Sequence, residues 1–350
     1  MSAAAPNPAA WRSIATLYNA LVTGLVVSLV TRRGSATARE YVLRHFRRQH
    51  LEKFLPGLAK LGLAHEPHAV ACALYHYHSN ALGGVKTEYV RESDRKAWVR
   101  YPPPRWMWRG AAIAAIPHEV SAAMLHGWHG HNGVSLANPR LGFVCTGMTV
   151  DGMPGLEGYY LEHDRDLGPD ERVRFAYGEE VMPRFVPAGA PRLEAANWPE
   201  ERLARTRRRY AMDYVRTMLP VLEALLGAHD ARTELGRVAR LVGLQFFEET
   251  AAGIDSAPAA EPFAAWLAAM LEGQGEAVTV ENEGGACVVR LERWRLGDGL
   301  GLVDLPGAFD AWNELWIGAC AAHDRFLVME TSRTVTDGAL SAVWRIAPGA

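Results

Sequence analysis

The stretch His126-Gly-Trp-His129-Gly-His131-Asn-Gly, followed by Leu141-Gly-Phe-Val-Cys-Thr-Gly, sets the organisation that this sequence predicts. The second part has the glycine punctuation of a strand that runs into a turn. Within residues 117–177, imidazoles, a thiol and carboxylates crowd together as they do nowhere else in the chain. We therefore expect the functional site in the N-terminal half.

Before this segment, the chain alternates helices with a strand pair. Residues 11–31 carry apolar side chains at helical spacing, and polar interruptions leave the run short of a membrane span, so we expect a buried helix. Further helices follow, with an interruption predicted at Pro56-Gly57. Val85 to Tyr101 alternates as a hairpin that turns at Glu92-Ser-Asp-Arg.

The same order of elements starts again in the second half. Pro183 to Glu200 is rich in proline and lacks periodicity, which marks a linker. Beyond it, Ala277 to Trp294 is predicted to be a second hairpin, turning at Asn282-Glu-Gly-Gly. Val99-Arg100 corresponds to Val289-Arg290, and the strand from Leu141 to Thr146 corresponds to residues 326–331.

This recurrence predicts an α+β fold of two tandem similar domains, an internal duplication that forms a pseudo-dimer. The expected bounds are 1–182 for a domain that carries the histidine cluster, 183–200 for the linker and 201–350 for a degenerate copy. Opposite His126, His129 and His131, the second half has Glu314, Ile317 and Ala319. Loss of the imidazoles from one half favours a site in the other.

A family resemblance rests on four short segments of the N-terminal half: Asn138-Pro-Arg-Leu-Gly-Phe-Val, Pro154-Gly, Asp166-Leu and Arg174-Phe-Ala-Tyr. They resemble the end of the L-2-amino-thiazoline-4-carboxylic acid hydrolase-like family, which is similar in pattern to the 4-vinyl reductase type of small-ligand-binding domain. The resemblance implies hydrolysis of a carbon-nitrogen bond in a small cyclic or amide-like substrate. Domains of the 4-vinyl reductase type often have cysteines near their C-terminal strands, where this chain has only Cys145.

The histidine cluster has the spacing of a metal site. His126 and His129 lie about 60° apart if the helix persists that far, and His131 follows Gly130, where the chain can turn. Three neutral imidazoles with an open position suit a divalent metal ion, zinc or iron. We predict His126, His129 and His131 as ligands; polar residues lining a loop or pocket are the alternative.

Three residues are catalytic candidates. His129 would belong to the metal site, and Cys145 on its strand would be a nucleophile if an imidazole lowered its pKa. Asp164 shares a predicted strand face with Glu162 and Asp166 and could act as a general base. The alternatives are an inert buried cysteine and a solvated strand edge.

Trp128, Arg140 and His78 are the predicted substrate contacts. On a helix, His76 and His78 point about 160° apart, so only one of them can reach a given site. The segment Arg105-Trp-Met-Trp-Arg109 could add aromatic and cationic contacts, although packing is the simpler interpretation.

Composition limits the class of protein. Apolar residues make up 49% and charged residues 22%, which is enough for a large core, and the net charge of -2 gives no reason to expect nucleic acid. Four separated cysteines form no CxxC pair and favour free thiols in the cytoplasm. We expect no membrane partner. Whether the chain forms a homo-oligomer is left open by the sequence.

The sequence thus predicts a metal-dependent hydrolase acting on a carbon-nitrogen bond of a small molecule. Two alternatives stay open. One is a non-catalytic small-ligand-binding or sensory module, with the histidines and tryptophans lining its pocket. The other is a metal-dependent oxygenase or lyase.

Overall fold

The computed structural model describes residues 8–103, 116–193, 197–251 and 259–349. Helices and two separate sheets make up this part of the chain, which confirms the α+β class. The segment Arg105-Trp-Met-Trp-Arg109 lies outside the described residues.

The helices of the described residues have the following bounds: α1 (Pro8–Arg33), α2 (Ser35–Lys60), α3 (His68–Leu82), α4 (His118–Gly127), α5 (Asn132–Ser135), α6 (Glu200–Leu226), α7 (Ala228–Thr250), α8 (Ala260–Gln274) and α9 (Leu305–His323). The predicted interruption at Pro56-Gly57 is wrong, because α2 continues through Pro56. Gly57 lies against the Tyr75 ring, where a side chain would collide.

The strands are β1 (Glu88–Ser93), β2 (Lys96–Tyr101), β3 (Leu141–Gly147), β4 (Leu156–Glu162), β5 (Val173–Phe175), β6 (Val278–Glu283), β7 (Ala286–Leu291), β8 (Leu327–Thr336) and β9 (Ala339–Pro348). One sheet has the order β1-β2-β4-β3-β5 and the other β6-β7-β9-β8. Both predicted hairpins are confirmed, since β1 pairs with β2 and β6 with β7 in antiparallel register. Only the β3–β5 pair is parallel among the described strands.

Contacts divide the described chain into two compact units. Unit 1 takes its residues from Met1–Ser28 and Arg208–Ala350, and unit 2 takes its residues from Leu29–Arg207. These bounds differ from the sequence-based domains at the N-terminus, because most of α1 packs within unit 1. Trp312 Nε1 donates to the Tyr18 hydroxyl at 3.1 Å, and that hydroxyl donates to Gln274.

The first helix is buried along one side, as the sequence predicts. Ile14, Leu17, Tyr18, Leu21 and Leu25 have no exposed surface. By length and composition alone, Ala9–Arg33 is also apolar enough to cross a membrane, and half of its most apolar window is buried inside the protein. A core helix meets that same criterion, so the criterion by itself is weak evidence for a span.

In unit 2 the sheet separates two apolar layers. Directly paired residues of neighbouring strands point to one face, so Phe143, Cys145 and Tyr160 face the helices. On the opposite face, Trp98, Val144 and Tyr159 pack with Ala176 and Met182, which follow β5. Both faces of β3 are therefore covered, and every residue of the strand is buried.

Close helix pairs complete each unit. Gly127 at the end of α4 lies against α2, and a Cβ there would come within 2.8 Å of the Leu43 carbonyl oxygen. In unit 1, α7 and α9 approach through Gly243 and Gly318, whose added Cβ atoms would each meet a backbone oxygen of the partner helix at 2.1 Å.

Candidate active site

Four polar side chains of unit 2 gather where β3 and β5 end. Cys145 lies near the end of β3, and Tyr177 follows β5 by two residues. Asp151 belongs to the 3-10 turn after β3, and His118 is the first residue of α4. Because β3 and β5 run parallel, their carboxyl ends meet at one edge of the sheet, the usual position of sites in such arrangements.

Asp151 links the other polar groups. Its Oδ2 atom accepts a hydrogen bond from the Tyr177 hydroxyl at 2.9 Å and lies 2.8 Å from His118 Nδ1. A carboxylate at this distance favours the hydrogen on Nδ1, which leaves Nε2 as the basic atom of a neutral ring. The side chain of His118 is 43% exposed, so solvent and small molecules reach the imidazole.

Tyr177 remains a hydrogen-bond donor in this arrangement. Burial raises the pKa of its hydroxyl, and the neighbouring Cys145 and Asp151 raise it further. The protonated hydroxyl contacts the same Asp151 oxygen as the imidazole does, and it lies 3.5 Å from His118 Nδ1. Asp151 therefore has two partners that fix its orientation.

Cys145 is a neutral thiol in this structure. It has no exposed surface, and burial raises its pKa to about 12. Its Sγ atom donates to the Gly147 carbonyl at 3.5 Å. A buried protonated thiol is a poor nucleophile, so the predicted nucleophilic role finds no support in this geometry.

The predicted metal ligands do not come together. Helix α4 ends at Gly127, and after Trp128 the chain enters a 3-10 turn over His129–His131, so the helix does not persist to His129. His126 lies against Phe175, with ring centroids 6.0 Å apart, whereas His131 lies 5.1 Å from His50. Among the described residues, no group of three histidines, cysteines or acids is placed to hold a metal ion.

His129 instead belongs to a buried stack of rings. Its imidazole lies parallel to that of His76 with centroids 4.2 Å apart, and to the Tyr160 ring at 5.8 Å. The Tyr101 hydroxyl lies 3.4 Å from His129 Nε2. Asn132 donates to the Tyr160 hydroxyl at 3.0 Å. The stack is a structural feature of the core of unit 2, away from solvent.

The predicted substrate contacts also separate. Trp128 packs between the rings of His50 and His76, and the buried His78 lies beside Tyr77. Burial lowers the pKa of His78 to about 4. As predicted, His76 and His78 face different neighbours.

Arg140 and Asp164 lie near the start of β3, at the end of the sheet remote from Cys145. Arg140 pairs with Glu162 at 2.8 Å, and the exposed Asp164 pairs with Arg95 at 2.6 Å. Cys145 lies five positions beyond Arg140 along extended chain, about 17 Å away. The structure therefore does not join Arg140 or Asp164 to the group around Asp151.

The sequence analysis missed His118, Asp151 and Tyr177, although local signals were present. Pro117 immediately precedes His118 and caps α4 in an extended conformation. Gly152 follows Asp151 with a φ of 83°, the left-handed value that ends the turn. Tyr177 closes the segment Arg174-Phe-Ala-Tyr, on which the family resemblance partly rests.

No protein-family model, curated protein or solved structure matches this chain. The resemblance to the L-2-amino-thiazoline-4-carboxylic acid hydrolase-like family thus stays a prediction from a few short segments.

Proposed function

We propose that unit 2 is a hydrolase that cleaves a carbon-nitrogen bond in a small cyclic or amide-like molecule, with His118 as its general base. One observation carries the proposal: a single oxygen of Asp151 contacts both His118 Nδ1 and the Tyr177 hydroxyl. A carboxylate that orients an accessible imidazole is an arrangement that suits general-base catalysis. The type of bond that is cleaved is inferred from the family resemblance.

In the proposed reaction, His118 Nε2 takes a proton from water as the water oxygen bonds to the substrate carbon. The carbon-nitrogen bond then breaks, and the departing nitrogen receives that proton from the imidazolium. Asp151 stabilises the imidazolium while it exists. The proposed reaction does not use a metal ion, because the three predicted ligands, His126, His129 and His131, contact different neighbours.

The alternative of a small-ligand-binding module has its own support. His50 Nδ1 and Asn132 Oδ1 are buried and lack a hydrogen-bond partner among the described residues, and the same holds for Trp128 Nε1. Buried polar atoms without partners are costly unless a water or ligand satisfies them. A small polar molecule inside unit 2 would meet that need.

We also infer that the two units are copies of one duplicated domain. The order helix, helix, hairpin, helix, hairpin recurs, and β1-β2-β4-β3 matches β6-β7-β9-β8. Gly34 before α2 and Gly227 before α7 share nearly the same backbone angles, with φ values of 86° and 80°. Val99 and Val289 occupy the same position in β2 and β7.

Under that inference, the strand pairings identify the residue of unit 1 that corresponds to Cys145. Val99 pairs with Gly158, which pairs with Cys145; Val289 pairs with Trp344, which pairs with Thr331. Cys145 then corresponds to Thr331, one residue from the correspondence that the sequence suggests. Asn313 occupies this region of unit 1, donating to Thr331 and accepting from Trp344.

The cytoplasm remains the proposed location. All four cysteines are free and buried, which is compatible with a reducing compartment.

An assay of amine release tests the proposed hydrolysis. Wild type, His118→Gln and Asp151→Asn are compared on lactams, cyclic amidines and small amides. His118→Gln should lower kcat about 100-fold or more, the usual worth of a general base. Asp151→Asn should lower kcat with little change in KM. His65→Gln, an exposed histidine outside the group, is the matched control. Equal turnover of His118→Gln and His65→Gln, or no hydrolysis by wild type, would refute the proposal.

A further inference from the structure

A second group of side chains in unit 2 is rich in cations and poor in acids. It consists of Arg47, His126, His131 and Arg172, here called the Arg47 cluster. Its members come from α2, the end of α4, the 3-10 turn after it and the residue before β5. His126, His131 and Arg172 are each partly exposed.

Gly130 brings the elements of the cluster together. A Cβ at this position would lie 2.7 Å from Val173 Cγ2 and 3.8 Å from Arg172 Cβ. The absence of a side chain therefore allows the turn that carries His131 to pack against the start of β5. The pattern His129-Gly-His131, which suggested a metal site, thus brings the backbone of this turn close to Arg172.

Arg47 is held in a fixed orientation. Its Nε and Nη2 atoms donate to the carbonyl oxygens of Gly127 and His126, each at 2.9 Å. These bonds satisfy the carbonyls at the end of α4 and leave Nη1 without a partner among the described residues. Burial lowers the pKa of Arg47, and the positive charge of Arg172 lowers it further.

Few acidic groups compensate these charges. Burial and the charge of Arg39 on α2 lower the pKa of His126, whereas the carboxylate of Asp170 raises it. Arg172 makes no ion pair with any described residue. Burial and then Arg47 and Arg172 lower the pKa of His131 to about 4, so its ring is neutral near pH 7 and can donate one hydrogen bond.

We propose that the Arg47 cluster binds a doubly charged phosphate group, carried either by free phosphate or by a phosphate monoester. Two guanidinium groups match the charge of about -1.5 to -2 that such a group carries at pH 7, whereas a carboxylate would leave one of them uncompensated. The two imidazoles provide additional donors to the phosphate oxygens. This site is inferred from its own contacts and does not depend on the hydrolysis proposed above.

Histidine ring signals in NMR spectra of the full chain test the proposal with inorganic phosphate and phenyl phosphate as probes, at constant ionic strength. Both probes should shift the signals of His126 and His131 and raise the pKa of His131. Tighter binding of phenyl phosphate would indicate an organic ligand, and equal binding would indicate free phosphate. Arg172→Gln should weaken binding about tenfold or more, as expected for loss of a charged hydrogen bond.

Arg95→Gln is the matched control, because Arg95 is an exposed arginine that pairs with Asp164 elsewhere in unit 2. It should leave the affinity unchanged. His131→Gln provides a second test should Arg172→Gln fail to fold. Equal shifts with acetate, no shift with either phosphate probe, or unchanged affinity in a folded Arg172→Gln or His131→Gln variant would overturn the proposal.

Discussion

The chemistry of single residues depends on neighbours that are distant in sequence. Asp151 is 33 residues from His118 and 26 from Tyr177, yet one of its oxygens contacts both. Spacing along the sequence favoured His126, His129 and His131, because it assumes a helix that continues. Once α4 ends at Gly127, those rings meet different partners. No local pattern reveals the three-segment contact, so the sequence could predict the region and not the group.

At the same scale, Glu276 makes unit 1 sensitive to pH. Its side chain is buried, accepts from Gln274 and from the Arg295 backbone, and burial raises its pKa from an ordinary 4.5 to about 7. Between pH 4.5 and 7 the folded state holds a proton that the unfolded state has released, so the free energy of unfolding falls progressively as pH rises through this window and levels off above pH 7. At pH 8 the loss is about 3 kcal/mol.

Urea unfolding at pH 5 and pH 8 checks this expectation. Wild type should lose stability between the two pH values, and Glu276→Gln should lose less. Glu281→Gln, an exposed acid on β6, should behave as wild type does. The same pH dependence in wild type and Glu276→Gln would show that Glu276 is not the group responsible.

At the scale of helices and strands, local sequence signals predicted more of the structure than they did for the side-chain group around Asp151. Alternation and turn residues located both hairpins, because a hairpin is defined within a short stretch of chain. The predicted break at Pro56 was wrong, since proline in an otherwise helical stretch does not always end the helix. Helix pairing was not predicted, because the contacts of Gly127, Gly243 and Gly318 join residues far apart in sequence.

The α7–α9 contact gives a prediction at this scale. In Gly243→Ala, the new Cβ would lie 2.1 Å from the Leu315 carbonyl oxygen, so the two helices must move apart. We expect overpacking to cost about 3 kcal/mol, offset by about 1 kcal/mol of improved helix propensity. Thermal unfolding should show that the substitution lowers the free energy of unfolding by about 2 kcal/mol.

Gly189→Ala is the matched control for this change. Gly189 has no heavy atom within 4 Å of an added Cβ, so its substitution should be nearly neutral. Equal melting temperatures for the Gly243→Ala and Gly189→Ala variants would contradict the close packing of α7 and α9.

At the scale of the whole molecule, the recurrence of elements was visible in the sequence, and the strand orders of the two sheets support it. The residue-by-residue correspondence that the proposed duplication implies was not visible in the sequence, because strand register depends on pairing. Nor did the sequence indicate that α1 packs largely within unit 1, since that contact joins Tyr18 to Trp312. The proposed acid-base group of His118, Asp151 and Tyr177 lies wholly in unit 2.

Imidazole rescue of His118→Ala tests the acid-base proposal most directly. The exposed side chain of His118 leaves an open space beside Asp151 when it is removed, and added imidazole can enter that space. Turnover of a carbon-nitrogen substrate should fall about 100-fold or more in His118→Ala and rise with imidazole concentration until it saturates. The His65→Ala control should show neither effect. Wild-type turnover in His118→Ala, or a reduced turnover that imidazole leaves unchanged, would contradict the assignment of His118 as the general base.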